Sequence, residues 1–172
     1  MSLVHSLPYA WPYHGAIRLR QTALVVCNDG EAEDAEPALA KLASVVAAAR
    51  ACGVRVVHLP GAKSKTLLES QPSDLVVVRP GLGGFTGTDL DLVLRTAGLT
   101  DLLLAGFPME LGADCTMREA NDLGYECLLL ADCCSSLSDE TREGAVSSVQ
   151  MSGGIFGVVA NAGAVIDALE QA

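Results

Sequence analysis

Residues 100–131 read TDLLLAGFPMELGADCTMREANDLGYECLLLA. Two apolar runs, TDLLLAG (100–106) and YECLLLA (125–131), bracket a segment of helical composition over 112–123 that stops at Gly124. The runs are continuous rather than alternating, so both faces of each strand are buried. Two such strands joined through a helix lie parallel, because a parallel connection needs a crossover of that length.

The same unit repeats outward from this stretch. TALVVC (22–27), VRVVHL (54–59), DLVVVR (74–79) and GIFGVVA (154–160) are further apolar, β-rich runs. Between them stand helical segments: PALAKLASVVAAARACG (37–53), with Pro37 suited to a first turn and Gly53 to a stop; TDLDLVLRTAG (88–98), with Thr88 as N-cap; and SDETREGAVSSVQM (138–151), with Ser138 as N-cap. AGAVIDALEQ (162–171) reads as the last helix. Six alternations predict a three-layer α/β/α fold with a doubly wound, six-stranded parallel sheet, formed by a single domain over 22–172.

Residues 1–21 precede that domain as an arm carrying Tyr9, Trp11 and Tyr13 among two prolines. Aromatics on a tail need a surface to cover. That surface is either an edge of the arm's own domain or a neighbouring subunit.

Half of the 172 residues are hydrophobic and 19% are charged, enough apolar material for a core and too little charge for disorder. A net charge of −10 argues against nucleic acid or an anionic membrane as partner. No apolar run is long enough to span a bilayer, and the first residues lack the basic and apolar regions of a signal peptide, so a cytoplasmic location is expected. The six cysteines form no CxxC pair and the three histidines have no metal-ligand spacing, so no metal or cofactor is expected. Cys27, Cys52 and Cys127 read as small core residues, His58 as a satisfied structural histidine, and the vicinal pair Cys133–Cys134 as lacking a third ligand. GLGGFTG (81–87) has neither the order of a dinucleotide fingerprint nor the lysine of a phosphate loop, and reads as a structural turn.

Three segments in order carry a resemblance. TALVVCND (22–29), VVVRPGLGGFTGTDLDLVLRTAGLTDLLLAGF (76–107) and GFPMELGADCTMREANDLGY (106–125) resemble the first strand, the F-x-G-T-x-L turn and the nucleophile helix of the isochorismatase-like hydrolases, the cysteine hydrolase superfamily. The arm PYAWPYHG (8–15) also looks like one seen ahead of the first strand in some members. The resemblance implies a hydrolase using a cysteine nucleophile, an aspartate acid or base, and a lysine, with a cis peptide in the turn before the cysteine. On this chain the aspartate position is Asn28, the lysine position Arg79 and the cysteine position Gly112, and the cis bond falls at Phe107–Pro108.

Each departure has its own chemical weight. Gly112 removes the nucleophile. The isochorismatase branch of the family also carries glycine there and protonates its substrate from the aspartate, so this loss alone is not fatal. Asn28 neither gives nor takes a proton usefully near neutral pH. Arg79 keeps a charge but not a titratable one, so it orients an anion without moving protons. Asp29 and Cys115 are the candidate replacements for the acid and the nucleophile.

The resulting expectation is a family member with a degenerate triad, a pseudoenzyme that binds a small anionic or amide-like molecule through Arg79 and Phe85 or serves assembly. The alternative is an active hydrolase of the glycine-containing type with Asp29 as acid. Leu82, Phe85, Met109 and Leu111 filling the pocket would favour the first. The resemblance further implies a homo-oligomer, a dimer or tetramer.

Overall fold

The computed structural model describes residues 2–28, 35–63, 65–151 and 153–172. The elements run β1 (Thr22–Cys27), α1 (Glu36–Ala51), β2 (Arg55–His58), β3 (Leu75–Val76), α2 (Leu90–Thr96), β4 (Asp101–Gly106), α3 (Ala113–Asp122), β5 (Glu126–Leu130), α4 (Asp139–Met151), β6 (Val158–Ala160) and α5 (Ala162–Glu170). Among the described residues the strands form one sheet of six, all parallel, in the order β3-β2-β1-β4-β5-β6. The doubly wound reading of the sequence therefore holds.

β1 and β4 lie at the centre of the sheet and every residue of both is buried. That explains their unbroken apolar runs: neither face meets water. It also explains why Asp101, which opens β4 in full burial, is hydrogen-bonded. His14 Nε2 lies 3.1 Å away, Thr100 Oγ1 donates at 3.0 Å and Arg18 approaches at 3.5 Å.

β2, β4 and β5 fall short of the sequence reading by at most one residue at an end, and β3 and β6 by more. Regular pairing in β3 covers only Leu75–Val76 rather than 74–79. Val77 N–H still donates to the His58 carbonyl at 2.9 Å, and Arg79 N–H to the Pro60 carbonyl at 3.0 Å. In a parallel ladder the return bond to Val77 would come from residue 60, a proline with no N–H, so the ladder breaks there. β6 begins at Val158 rather than at Gly154. The chain turns through Gly157 at φ +120°, and a β-carbon there would collide with the Cys127 carbonyl of β5. This close approach of backbones requires glycine and delays the strand.

At the helix ends, Pro37 occupies the first turn of α1. α3 starts at Ala113 with Gly112 as its N-cap. The N-cap of α2 is Asp89 rather than Thr88, although the Thr88 hydroxyl still accepts from Leu90 N–H at 3.2 Å. Ser138 Oγ accepts from Thr141 N–H at 3.2 Å, as an N-capping side chain does.

The arm folds onto its own chain. Leu7 pairs antiparallel with Val159 of β6 through two hydrogen bonds of 3.0 and 2.8 Å. Trp11 is fully buried, Tyr9 donates to Glu126 at 3.2 Å, and His14 and Arg18 reach Asp101. Of the two surfaces open to the arm from sequence, it covers the edge of its own sheet, which would otherwise present unpaired backbone groups. Among the described residues no helix is long and apolar enough to cross a membrane.

Candidate functional site

The direction of winding reverses between β1 and β4, and their carboxyl ends open the crevice where this class of sheet binds ligands. The last paired residues are Cys27 and Gly106, and Phe107 N–H continues with a 3.2 Å bond to the Cys27 carbonyl. The Phe107–Pro108 bond is cis, the geometry expected at this pair. The turn then closes through Gly112 N–H to the Pro108 carbonyl at 3.0 Å and Asp114 N–H to the Met109 carbonyl at 2.9 Å, and α3 begins.

Asn28, Arg79 and Gly112, widely separated in sequence, converge on this crevice. Asn28 N–H and Arg79 Nε both donate to one carbonyl, that of Leu59, at 3.2 and 3.1 Å. Arg79 Nη2 stands 3.6 Å from where a Gly112 β-carbon would be. The β1–β2 pairing brings 28 beside 59, and the short β3 carries 79 alongside Pro60.

Each position has structural bonds. The Asn28 carboxamide is fully buried. Its oxygen accepts from Leu67 N–H at 3.0 Å and from Leu68 N–H at 2.9 Å. Its nitrogen donates to the Leu68 carbonyl and, at 3.3 Å, to His58 Nδ1. Arg79 is 3% exposed, and its Nη1 donates to the carbonyls of Gly81 and Leu82 at 2.7 and 2.5 Å. The guanidinium thus pins the start of the glycine-rich turn.

At Gly112 a β-carbon would lie 2.8 Å from the Cys27 β-carbon, closer than real β-carbons approach. Any side chain here requires the end of β1 to move. Thr116, one turn on, donates to the Gly112 carbonyl at 2.8 Å and lies 3.3 Å from Cys27 Sγ.

Of the apolar residues expected around the pocket, Phe85 and Met109 are buried, whereas Leu82 and Leu111 reach the surface. Phe85 packs on the ring of Tyr125 with centroids 5.5 Å apart. Asp29, the candidate acid, lies outside the described residues. Cys115 is partly buried, and its thiol faces the Glu110 carbonyl at 3.7 Å. Burial, then the charges of Asp114 and Glu119, raise its pKa; Arg118 and Arg79 oppose this without reversing it. The thiol form therefore dominates near neutral pH, the opposite of an activated nucleophile. Cys133 and Cys134 are buried, and burial raises both thiols, that of Cys134 to about 12.

Two features of the site were not read from sequence. Glu119, on the same face of α3 as Gly112 and Thr116, accepts from Phe85 N–H at 2.8 Å and from Thr86 Oγ1 at 2.5 Å, tying the glycine-rich turn to the helix. The i, i+4, i+7 spacing 112–116–119 is the available signal. The second is a chain of buried polar groups leading away from Asn28. His58 Nε2 lies 3.1 Å from Asp74 Oδ2, and Asp74 is held by Arg50 and by Gln71 N–H at 2.8 Å. Burial lowers the His58 pKa, the Asp74 bond and charge oppose this, and Arg50 adds to the lowering. For Asp74, burial alone would raise the pKa. The hydrogen bonds from Arg50, Gln71 and His58 outweigh it and hold the carboxyl below its ordinary range.

The profile of the isochorismatase domain matches residues 21–163. This chain belongs to the isochorismatase family.

Among its relatives, the isochorismatase family protein YwoC of Bacillus subtilis is 41% identical over 73 residues, which is 42% of this chain and 39% of YwoC. YecD of Escherichia coli O157:H7 is 32% identical over 48% of the chain and 44% of YecD. The chain thus spans less than half the length of these two relatives. The ureidoacrylate amidohydrolase RutB of Methylorubrum extorquens is 27% identical over 78% of the chain and 71% of its own length. An isochorismatase family protein from Burkholderia thailandensis superposes with a TM-score of 0.77 at 27% identity, covering 90% of this chain and 98% of that one. A cysteine hydrolase from Pseudomonas syringae pv. phaseolicola, at 18% identity, shares the fold with a TM-score of 0.82 over 99% of this chain and 98% of its own.

Proposed function

We propose that this chain is a non-catalytic member of the isochorismatase family, whose former catalytic positions brace the fold, and that its role is binding a small anionic or amide-like molecule or assembly. The observation that carries this reading is the Asn28 carboxamide. Both its ends are engaged by the 67–68 backbone and His58, leaving no proton-transfer group at the acid position. The packing of Cys27 against Gly112 and the raised thiol of Cys115 support it.

The test is a panel of amides, ureides and isochorismate offered to the purified protein, with no turnover expected. Turnover abolished by Asp29→Ala would instead assign an active hydrolase of the glycine-containing type; hydrolysis of some kind is also what the name of its relative RutB, a ureidoacrylate amidohydrolase, describes. Turnover abolished by Cys115→Ser would assign a displaced nucleophile. Assembly from copies of this chain is tested by sedimentation velocity, where a dimer or tetramer is expected.

A further inference from the structure

We propose that His58 and Asn28 form a pH-sensitive latch: protonation of His58 at Nδ1 releases the 67–68 segment from the site. The proposal deepens the reading above by naming how access to that site is controlled. It depends on that reading only for what enters beneath the segment.

The argument rests on which atoms donate and which accept. Two backbone N–H groups, those of Leu67 and Leu68, point at one end of the Asn28 carboxamide, which must therefore be its oxygen. The other end is the NH2. It meets the Leu68 carbonyl and His58 Nδ1. Nδ1 is consequently an acceptor and carries no proton. The ring's one proton sits on Nε2, directed at the Asp74 carboxylate 3.1 Å away. The 67–68 segment, the Asn28 amide, the His58 tautomer and Asp74 are thus set in one consistent order of donors and acceptors.

An imidazolium has no place in that order. With a proton on Nδ1, the ring nitrogen and the Asn28 NH2 face each other as two donors. Turning the carboxamide over would give Nδ1–H the oxygen as acceptor. It would also set the NH2 against the N–H groups of Leu67 and Leu68 and take the donor from the Leu68 carbonyl. No orientation of Asn28 satisfies both a charged His58 and the segment. Asn28 is fully buried, and its side chain bonds to this segment and to His58, so losing those bonds uncovers it.

The charged groups on His58 act in a fixed sense. Asp74, at the start of β3, favours the charged ring, and Arg50 of α1, which grips Asp74, opposes it. Asn28, at the end of β1, is neutral and rejects the charged ring through its NH2. Burial rejects it further, since the ring is almost fully enclosed. The latch is therefore closed at neutral and alkaline pH and opens on acidification.

Amide hydrogen exchange of the intact chain, corrected for intrinsic rates, reads the latch at Leu67 and Leu68. Protection there should fall by up to about tenfold per pH unit below about pH 6.5, the ordinary histidine value, as one proton is taken up on opening. Leu103 in β4, which only wider unfolding exposes, should stay more protected than Leu67 and Leu68 throughout. In His58→Gln the Leu67 and Leu68 protection should lose this pH dependence. Independently of any variant, the 15N shifts of the His58 ring should show Nδ1 unprotonated at pH 7.5 and protonating in step with the loss of protection. The latch is overturned by a proton on Nδ1 at pH 7.5, by protection indifferent to acid, by Leu67 and Leu68 being as well protected as Leu103, or by an unchanged pH profile in His58→Gln. None of these readouts involves turnover, so a hydrolase found on the substrate panel leaves this result standing or falling by itself.

Discussion

At the scale of single residues, Asn28 and Gly112 differ in what their replacement does. Asn28→Asp keeps the shape and exchanges a donor for an acceptor. The new oxygen would face the Leu68 carbonyl, and the carboxylate would favour a charged His58. We expect a loss of about 1–3 kcal/mol at neutral pH, the range for an unsatisfied buried polar group, measured by urea denaturation. The His58 pKa should rise, as read by NMR titration. Gly112 is set by packing. Gly112→Ala brings a β-carbon 2.8 Å from that of Cys27, and should cost about 1–3 kcal/mol as an overpacked core does. Cys27→Gly removes the opposing atom, so the two changes should couple favourably in a double-mutant cycle. Strict additivity would show that the contact is relieved elsewhere. For the same reason Gly112→Cys should yield no hydrolase activity on the substrate panel.

At the scale of elements, α3 organises the site through one carboxylate. Glu119 holds the glycine-rich turn by Phe85 N–H and Thr86 Oγ1, while Arg79 holds its beginning. Glu119→Ala should destabilise by about 1–3 kcal/mol through the orphaned Phe85 N–H and raise the rate of limited proteolysis within 81–88. Unchanged cleavage would mean that Arg79 alone orders the turn. The elements also show where sequence reading is strong and where it stops. β1 was legible to the residue and β4 to within one, because burial on both faces writes itself as an apolar run. The ends of β3 and β6 were not, since Pro60 and the Cys127 carbonyl act on them from other strands. Asn28, Arg79 and Gly112 were singled out through resemblance. The Asn28 partners Leu67, Leu68 and His58 were not, for no local pattern marks contacts made across 30 or 40 residues.

At the scale of the whole molecule, the arm and the buried polar chain set stability. Trp11→Ala should cost about 3–5 kcal/mol as a buried aromatic truncation, and loosen Leu7 from β6, exposing that edge. Thermal denaturation with a dye for exposed apolar surface measures both. The pH dependence follows from two shifts of defined sign. The folded-state pKa of His58 lies below its unfolded value, so the unfolded chain binds more protons and stability falls as pH drops below about 6.5. Asp74 is also lowered in the folded state; its contribution is present above the unfolded value of about 4 and is lost as pH falls through the folded one. Denaturant midpoints from pH 8 to pH 3 should thus decline in two stages, and His58→Gln should remove the first. By itself the sequence determined the parallel α/β architecture, because strand burial and helix punctuation are local patterns. Through resemblance it also pointed to Asn28, Arg79 and Gly112 as the residues of a candidate site. Only the tertiary structure decided what those residues contact, because hydrogen-bond partners and the space at a glycine are supplied by segments that meet only when the chain is folded.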